Sequence, residues 1–419
     1  MQIEIHRGAI EVGGTCIEVS SSNSHILLDF GLPFSCEFGD DPESCLPRPL
    51  YTDLLTGKKK IDAVFISHAH LDHYGLTGYL PPDIPVYLSR ATRTLMRFTE
   101  EFTPNKIGFV NAIEFKSYDH IQIRDLTITP FLMDHSAFDS HGFLVQDNEK
   151  SMFYTGDFRG HGLNGHLVDD LALRLPRLDA LLMEGTILGE REEGYFPTEE
   201  QTQEMFYELF NRYPGPVLVT VPSQNIDRIK SLYRAARRSN RKILIDLFSA
   251  ELFDRLRFYT GSLPFPEAED TLLWYPFIQR KNLSDVQLYR IMKKHKKNKL
   301  PLSQLSKETT NPVILMKPPF RKEIENNFDL SESVWVYSMW SGYLDKSEAL
   351  QRLKMWAKEL SIPFQRIHTS GHAQLNDLKR LVSSLSPDMI IPVHSFHPEQ
   401  YSMHFSNVCL IEDNQRVTV

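Results

Sequence analysis

The chain has 419 residues, 41% of them hydrophobic and 24% charged, with a formal net charge of −8 and a pI near 6.1. This is the composition of a soluble globular protein, and the acidic balance argues against wholesale non-specific adhesion to nucleic acid while leaving room for a local basic groove. The length exceeds the roughly 250–300 residues at which single cores stop growing, so two domains are expected. Cys16, Cys36, Cys45 and Cys409 form no C-x-x-C pair and read as reduced thiols of a cytosolic protein. Met1 to His6 enters a strand pattern directly, and no apolar run reaches about 18 residues. The expectation is a cytoplasmic protein with no signal peptide and no membrane segment.

Residues 2–31 read as a hairpin-rich opening. Ile3 and Ile5 alternate with polar residues, Gly13-Gly14 marks a turn, and 25–31 reads as a third strand ending at the carboxylate of Asp29. Residues 32–60 are rich in proline and polar side chains. The apolar, β-branched stretch 61–67 reads as a buried strand, and Gly75 onwards as the start of a helix. Between them stand His68, His70, Asp72 and His73, four metal-ligand types on a strand-to-helix loop. Imidazole nitrogen and carboxylate oxygen suit Zn²⁺. His68 and His70 alternate along an extended backbone and so point the same way, while Asp72 and His73 lie past the bend and can face a second ion. Two ions roughly 3.5–4 Å apart can clamp a phosphodiester and activate water.

Downstream, apolar strands repeatedly deliver one His, Asp or Glu at their C-terminal ends. Strand 126–131 runs into His135, the hairpin 143–146/151–154 into Asp157, and strand 180–183 into Glu184. From about 198 the pattern becomes β-α-β, with strands at 216–221, 242–246, 313–316 and 334–338, a second α/β domain with a parallel sheet. A helix is expected over about 346–360, then a short strand at 363–367 leading into His368, a helix over 374–384, and a strand at 389–393 ending at His394. The chain closes with an expected strand pair around 408–411 and 416–419. The run Lys293-Lys294-His295-Lys296-Lys297-Asn298-Lys299 is the densest positive patch and a candidate nucleic-acid path, and Trp340 a candidate base-stacking residue, with Trp335 in the core.

The motif His68-Ala69-His70-Leu71-Asp72-His73 resembles the signature of the metallo-β-lactamase superfamily. In that superfamily an Asp placed like Asp29 supports the metals from behind their ligands. A residue that bridges two metals should be a carboxylate, which points to Asp157. His135 would complete one site with His68 and His70, and His394 the other with Asp72 and His73. Glu184, then an inserted α/β domain, then Ser370-Gly371-His372, then Pro392-Val393-His394 is the arrangement of the β-CASP nucleases, and the chain is most similar to ribonuclease J-like proteins over nearly its whole length.

The resemblance implies an αββα metallo-β-lactamase sandwich formed by 1–190 and 346–419, with a β-CASP α/β domain inserted at 191–345 as a lid. That order requires His394 to lie within about 10 Å of His73, since zinc–nitrogen bonds are about 2.0–2.1 Å long. It implies two Zn²⁺, or Mn²⁺, bound by His68, His70, Asp72, His73, His135, Asp157 and His394, and hydrolysis of single-stranded RNA, with a homodimer as the assembly. The catalytic residues would be Asp72, Asp157, Glu184, His368 and His372. His372 would donate to the phosphate or the leaving oxygen, with Glu184 orienting it and His368 adding a phosphate contact. Ser223, Asn225 and Arg228, in Ser223-Gln224-Asn225-Ile226-Asp227-Arg228, together with Ser370 and Gly371, would contact substrate. The chain departs from the family in two places. Val313 to Phe320 replaces a Thr-Gly-x-Gln-Gly-Glu segment, and Tyr337 to Gly342 replaces a Pro-Gly-Asn loop. The sequence also ends soon after His394, without the family's C-terminal domain. The rival readings are a DNA nuclease of the same fold, a small-molecule metallo-hydrolase, and an RNA-binding protein with a degenerate site. The His at position 394, where DNA-directed members typically carry Val, favours RNA.

Overall fold

Period-two alternation of apolar residues builds the sheets that carry the site. The computed structural model describes residues 1–36, 40–102, 111–189, 195–281, 283–295, 301–309 and 311–419. The chain divides into two units, Met1–Tyr195 with Gly371–Val419, and Phe196–Ser370. In chain order the first unit carries β1 (Gln2–Arg7), β2 (Cys16–Ser20), β3 (His25–Leu28), β4 (Ala63–Phe65), β5 (Val86–Ser89), β6 (Ala112–Phe115), β7 (Ile121–Ile123), β8 (Leu126–Leu132), β9 (His141–Gln146), β10 (Ser151–Tyr154) and β11 (Ala180–Glu184). The second unit holds β12 (Val217–Thr220), β13 (Ile243–Ile245), β14 (Thr271–Leu273), β15 (Val313–Leu315), β16 (Val334–Tyr337) and β17 (Phe364–Arg366). The chain returns to the first unit for β18 (Ile390–Val393) and β19 (Gln415–Thr418).

Among the described residues the first unit has two sheets, ordered β19-β1-β2-β3-β4-β5-β6 and β18-β11-β10-β9-β8-β7. Ile26, Leu28, Ala63 and Phe65 of one sheet share a core with Met152, Tyr154 and Leu182 of the other. Burying each large apolar side chain there contributes about 1.5–3 kcal/mol. The alternate residues Phe153, Leu181 and Met183 face the helices Leu167–Arg174 and Leu375–Leu385. On the other sheet the helix Arg90–Phe102 packs on β5 and β6. The layers are helix, sheet, sheet, helix: the αββα sandwich.

Strand direction then fixes where the polar residues go. β3 and β4 are parallel, as are β10, β11 and β18. β8 and β10 each run antiparallel to β9, so they point the same way. Asp29, His68, His135, Asp157, Glu184 and His394 thus stand at or just past the C-terminal ends of β3, β4, β8, β10, β11 and β18.

Several expectations are corrected. The helix expected from Gly75 begins earlier, at Leu71–Tyr74, which puts Asp72 and His73 in its first turn. The closing strands do not pair with each other: β19 pairs antiparallel with β1, and Val408 bridges Ile390 of the other sheet. Cys36 and Cys45 are joined as a disulfide, their Cα atoms 6.2 Å apart, so the reading of four reduced thiols fails for this pair. Cys16 and Cys409 are free.

The second unit is a parallel sheet ordered β14-β13-β15-β12-β16-β17, with helices joining its strands. β17 pairs parallel with β16, and the helix Glu348–Glu359 packs Leu350, Leu353 and Trp356 into this unit's core. The return to the first unit therefore comes at 371, not at 346. Trp335 is buried and donates to Thr220 Oγ1, while Trp340 is exposed. Of the basic run, Lys294 is held by Glu251 and Asp254, His295 is buried, and 296–299 lie outside the described residues.

Arg228 has no exposed surface. Its guanidinium donates to both oxygens of Glu199, at 2.7 and 3.2 Å, and to Ser338 Oγ and the Thr369 carbonyl. Asn225 caps the helix Ile226–Arg238 by accepting from the Arg228 N–H, and Ser223 is buried against Ser249. Arg228 and Asn225 thus make internal ties in this unit. Arg228→Ala strands the buried Glu199 and should lower stability by about 3–5 kcal/mol in urea unfolding followed by tryptophan fluorescence. Wild-type stability with weakened RNA binding would return Arg228 to the substrate.

Candidate metal centre and active site

The loop after β4 is held in place before any metal is considered. Asp29 adopts a left-handed backbone, φ 64°, and its carboxylate accepts from Ser67 N at 2.7 Å, Ser67 Oγ at 2.8 Å, Tyr154 OH at 2.7 Å and His73 Nδ1 at 2.8 Å. The strap after Asp29 runs beside the metal loop, with Phe30 N donating to the His73 carbonyl and Leu32 N to that of Leu71. Gly31 lies so close that a Cβ there would overlap the Asp72 carbonyl.

Three groups that share Asp157 converge, each with ligand atoms within 4.8 Å of one another: a first set of His68, His70, His135 and Asp157, a second of Asp72, His73, Asp157 and His394, and beside them Asp157, Glu184, His372 and His394. In the first, His70 Nδ1 is 3.2 Å from His68 Nε2 and 3.4 Å from His135 Nε2. In the second, His73 Nε2 is 3.2 Å from Asp157 Oδ2, and His394 Nε2 is 3.2 Å from Asp72 Oδ2. A tetrahedral zinc has ligand-to-ligand edges of about 3.3–3.4 Å, from bonds of about 2.0–2.1 Å. Both oxygens of Asp157 and Nε2 of His73 are buried with no hydrogen-bond partner. Buried orphans of this kind, aimed into one space and made of imidazole and carboxylate, fit a metal ion. The His73 and His394 ring centres are 5.0 Å apart.

Electrostatics sort the imidazoles. Burial pulls His68, His70 and His135 below the usual range, neighbouring imidazoles adding to it and, at His70, Asp72 and Asp157 opposing it, which favours the neutral form that ligates metals. Burial also pulls on His73, but Asp157, Asp29 and Asp72 outweigh it and raise His73 well above the ordinary value. Burial would raise Asp157, yet His394, His73 and His372 hold it well below the usual carboxylate range. Asp72 is likewise held at about 2, burial being outweighed by His73 and His394.

Beside the second set stands His372, whose Nδ1 is 3.3 Å from Glu184 Oε1 and 3.6 Å from Asp157 Oδ2. Burial lowers its pKa, but Glu184 and Asp157 outweigh burial and raise it to about 9. Glu184 also accepts from Phe158 N at 2.9 Å. Gly371 accepts at its carbonyl from His135 Nδ1 at 2.5 Å, and a Cβ there would strike Ser136. It thus orients His135, a member of the first set. His368 and Ser370 belong to the second unit and are not among these groups. A further gathering, Glu4, His6 and Glu18, already holds a cation, since the Lys59 ammonium contacts Glu18 and lies 3.3 Å from Glu4.

Ser67, Tyr154 and Thr186 were not singled out in the sequence. Tyr154 alternates as a core residue would, and Thr186 reads as an ordinary turn residue after Glu184. Only their hydroxyl partners reveal them.

This sandwich, with His and Asp ligands gathered at its strand ends, defines a metallo-β-lactamase-fold protein. Residues 46–213 match the beta-lactamase superfamily domain, and 361–403 match the Zn-dependent metallo-hydrolase RNA specificity domain. The chain is 27% identical over 406 residues to ribonuclease J of Thermus thermophilus, covering 92% of this chain and 67% of that one. It is 24% identical to ribonuclease J of Helicobacter pylori, covering 98% and 60%, and 23% identical to ribonuclease J2 of Bacillus subtilis, covering 97% and 72%. The chain thus spans 60% of the Helicobacter relative's length. A protein of unknown function from Enterococcus faecalis V583 shares the fold, with a TM-score of 0.78 at 21% identity over 100% of this chain and 99% of that one. The chain is a β-CASP, ribonuclease J-like protein. No helix among the described residues is long and apolar enough to cross a membrane.

Asp29→Ala removes the acceptor that orients His73 and strands its other donors. Zinc affinity, measured by chelator competition, should fall about 10–100-fold. An unchanged affinity would show that Asp29 plays no part in metal binding.

Proposed function

We propose that the chain is a metal-dependent ribonuclease that hydrolyses phosphodiester bonds of single-stranded RNA with two Zn²⁺, Mn²⁺ being the alternative ion, and that it works in the cytoplasm. The observation that carries this reading is the pair of ligand sets sharing Asp157, flanked by the His372–Glu184 pair. His68, His70 and His135 would hold one ion, Asp72, His73 and His394 the other, with Asp157 between them. Bound there, the ions supply Lewis-acid activation of water and neutralise charge on the phosphodiester.

The protein's own groups do the rest. Glu184 takes the Nδ1 side of His372, so Nε2 points away from Glu184, on a side chain 23% exposed beside the ligands. That nitrogen donates to a phosphoryl oxygen or delivers a proton to the leaving oxygen. Asp29, Ser67 and the Gly371 carbonyl hold the His73, His68 and His135 rings so that the opposite nitrogens face the centre. The resemblance of 361–403 to an RNA specificity domain, and the His at 394, support RNA over DNA.

His70→Ala should abolish cleavage of a single-stranded RNA oligonucleotide, as should chelation, with zinc restoring only the wild type. The matched DNA oligonucleotide should be cut at least about tenfold more slowly, a difference of about 1.4 kcal/mol in barrier. Wild-type RNA cleavage by metal-free His70→Ala sinks the metal mechanism, and faster DNA cleavage sinks the RNA assignment.

A further inference from the structure

We propose that Thr186 sets the tautomer of His394 and so fits the second ligand set for its metal ion; this rests on the two-ion reading above. Thr186 Oγ1 lies 2.6 Å from Glu184 Oε2 and 2.9 Å from His394 Nδ1. A hydroxyl has one proton to donate. The Glu184 carboxylate is an acceptor on both oxygens: Oε2 receives the Thr186 backbone N–H at 3.2 Å, and Oε1 that of Phe158. The hydroxyl proton therefore goes to Glu184 Oε2, and the hydroxyl lone pair faces His394 Nδ1. Nδ1 must then carry the ring proton, and Nε2 presents a bare lone pair on the side of Asp72 Oδ2, 3.2 Å away.

The same three-part device occurs at the first ligand set. Ser67 Oγ donates to Asp29 Oδ2 at 2.8 Å and lies 2.9 Å from His68 Nδ1, so His68 also presents Nε2. Carboxylate, hydroxyl and imidazole thus recur in that order on both sides of Asp157. At position 394 the backbone is already pinned in the left-handed region, φ 51°, with its N–H on the Gly8 carbonyl at 2.7 Å. What remains for the ring is its rotation and its tautomer, and Thr186 governs both. Because Glu184 gives its other oxygen to His372, one carboxylate orients both the proton-delivering imidazole and a metal ligand. Thr186 is a positioning residue, acting through His394.

The test is zinc titration of the metal-free protein against a chromophoric chelator, for wild type, Thr186→Val and Thr186→Ser, with melting of each metal-free protein alongside. Thr186→Val removes the hydroxyl at nearly constant volume. Its second zinc step should weaken about 10–100-fold, the range for lost ligand-orienting partners, with the first step unchanged. Thr186→Ser should restore the second step. Two wild-type steps that Thr186→Val leaves untouched overturn the role of Thr186 alone. Equal weakening of both steps with a lowered melting temperature, or failure of Thr186→Ser to restore binding, also overturns it. A single zinc step in the wild-type protein overturns the two-ion reading and this role with it.

Discussion

A buried carboxylate with no hydrogen-bond donor is the constraint around which the first unit is arranged. Among the described residues neither oxygen of Asp157 has a hydrogen-bond partner. An isolated ionised carboxylate in an apolar interior is prohibitively costly and would neutralise instead. Here it stays ionised because His394, His73 and His372 surround it with positive potential. A metal cation bound by these same His and Asp groups would compensate that charge in their place, and the rest of the first unit can be understood as the means of assembling the site.

The assembly uses strand ends because a sheet holds its C-terminal edge to a fixed geometry while the loops beyond it are free to vary. Ligands come from strands far apart in the chain, so no short segment carries the site. Four of the five imidazoles are then aimed by a partner on the remote nitrogen: Ser67 for His68, Asp29 for His73, Gly371 for His135, Thr186 for His394. Two left-handed residues, Asp29 and His394, mark where the backbone is bent to make this fit, at a cost of about 1–2 kcal/mol each.

Much of this was legible in the sequence because it rests on period and residue type. The strands before Asp29, His68, His135, Asp157, Glu184 and His394 alternate or run apolar, and their terminal residues are chemically distinctive. What could not be read was partnership. Tyr154 looks like core because its ring is core, and only its hydroxyl touches Asp29. Arg228 has the sequence look of a substrate contact, yet Glu199, a residue with no distinguishing pattern, claims its guanidinium. The 346 boundary failed because a short, exposed edge strand, Phe364–Arg366, has no apolar signature to say which sheet it joins. The Cys36–Cys45 pair failed for the same kind of reason, since a spacing of nine residues does not announce a disulfide.

The pairing of β1 with β19, and of β11 with β18, has a consequence for synthesis. When residue 195 leaves the ribosome, both sheets of the first unit still lack an edge strand, and His394 is about two hundred residues away, on the order of 10–40 s at bacterial elongation rates of roughly 5–20 residues per second. During that interval the unpaired edges of β1 and β11 are exposed templates for wrong strand pairing. The second unit is one uninterrupted segment, Phe196–Ser370, and can complete its sheet in the meantime. The order of the chain therefore makes the hydrolytic centre the last part to mature. A nascent chain cannot carry a complete second ligand set while it is still attached upstream of His394.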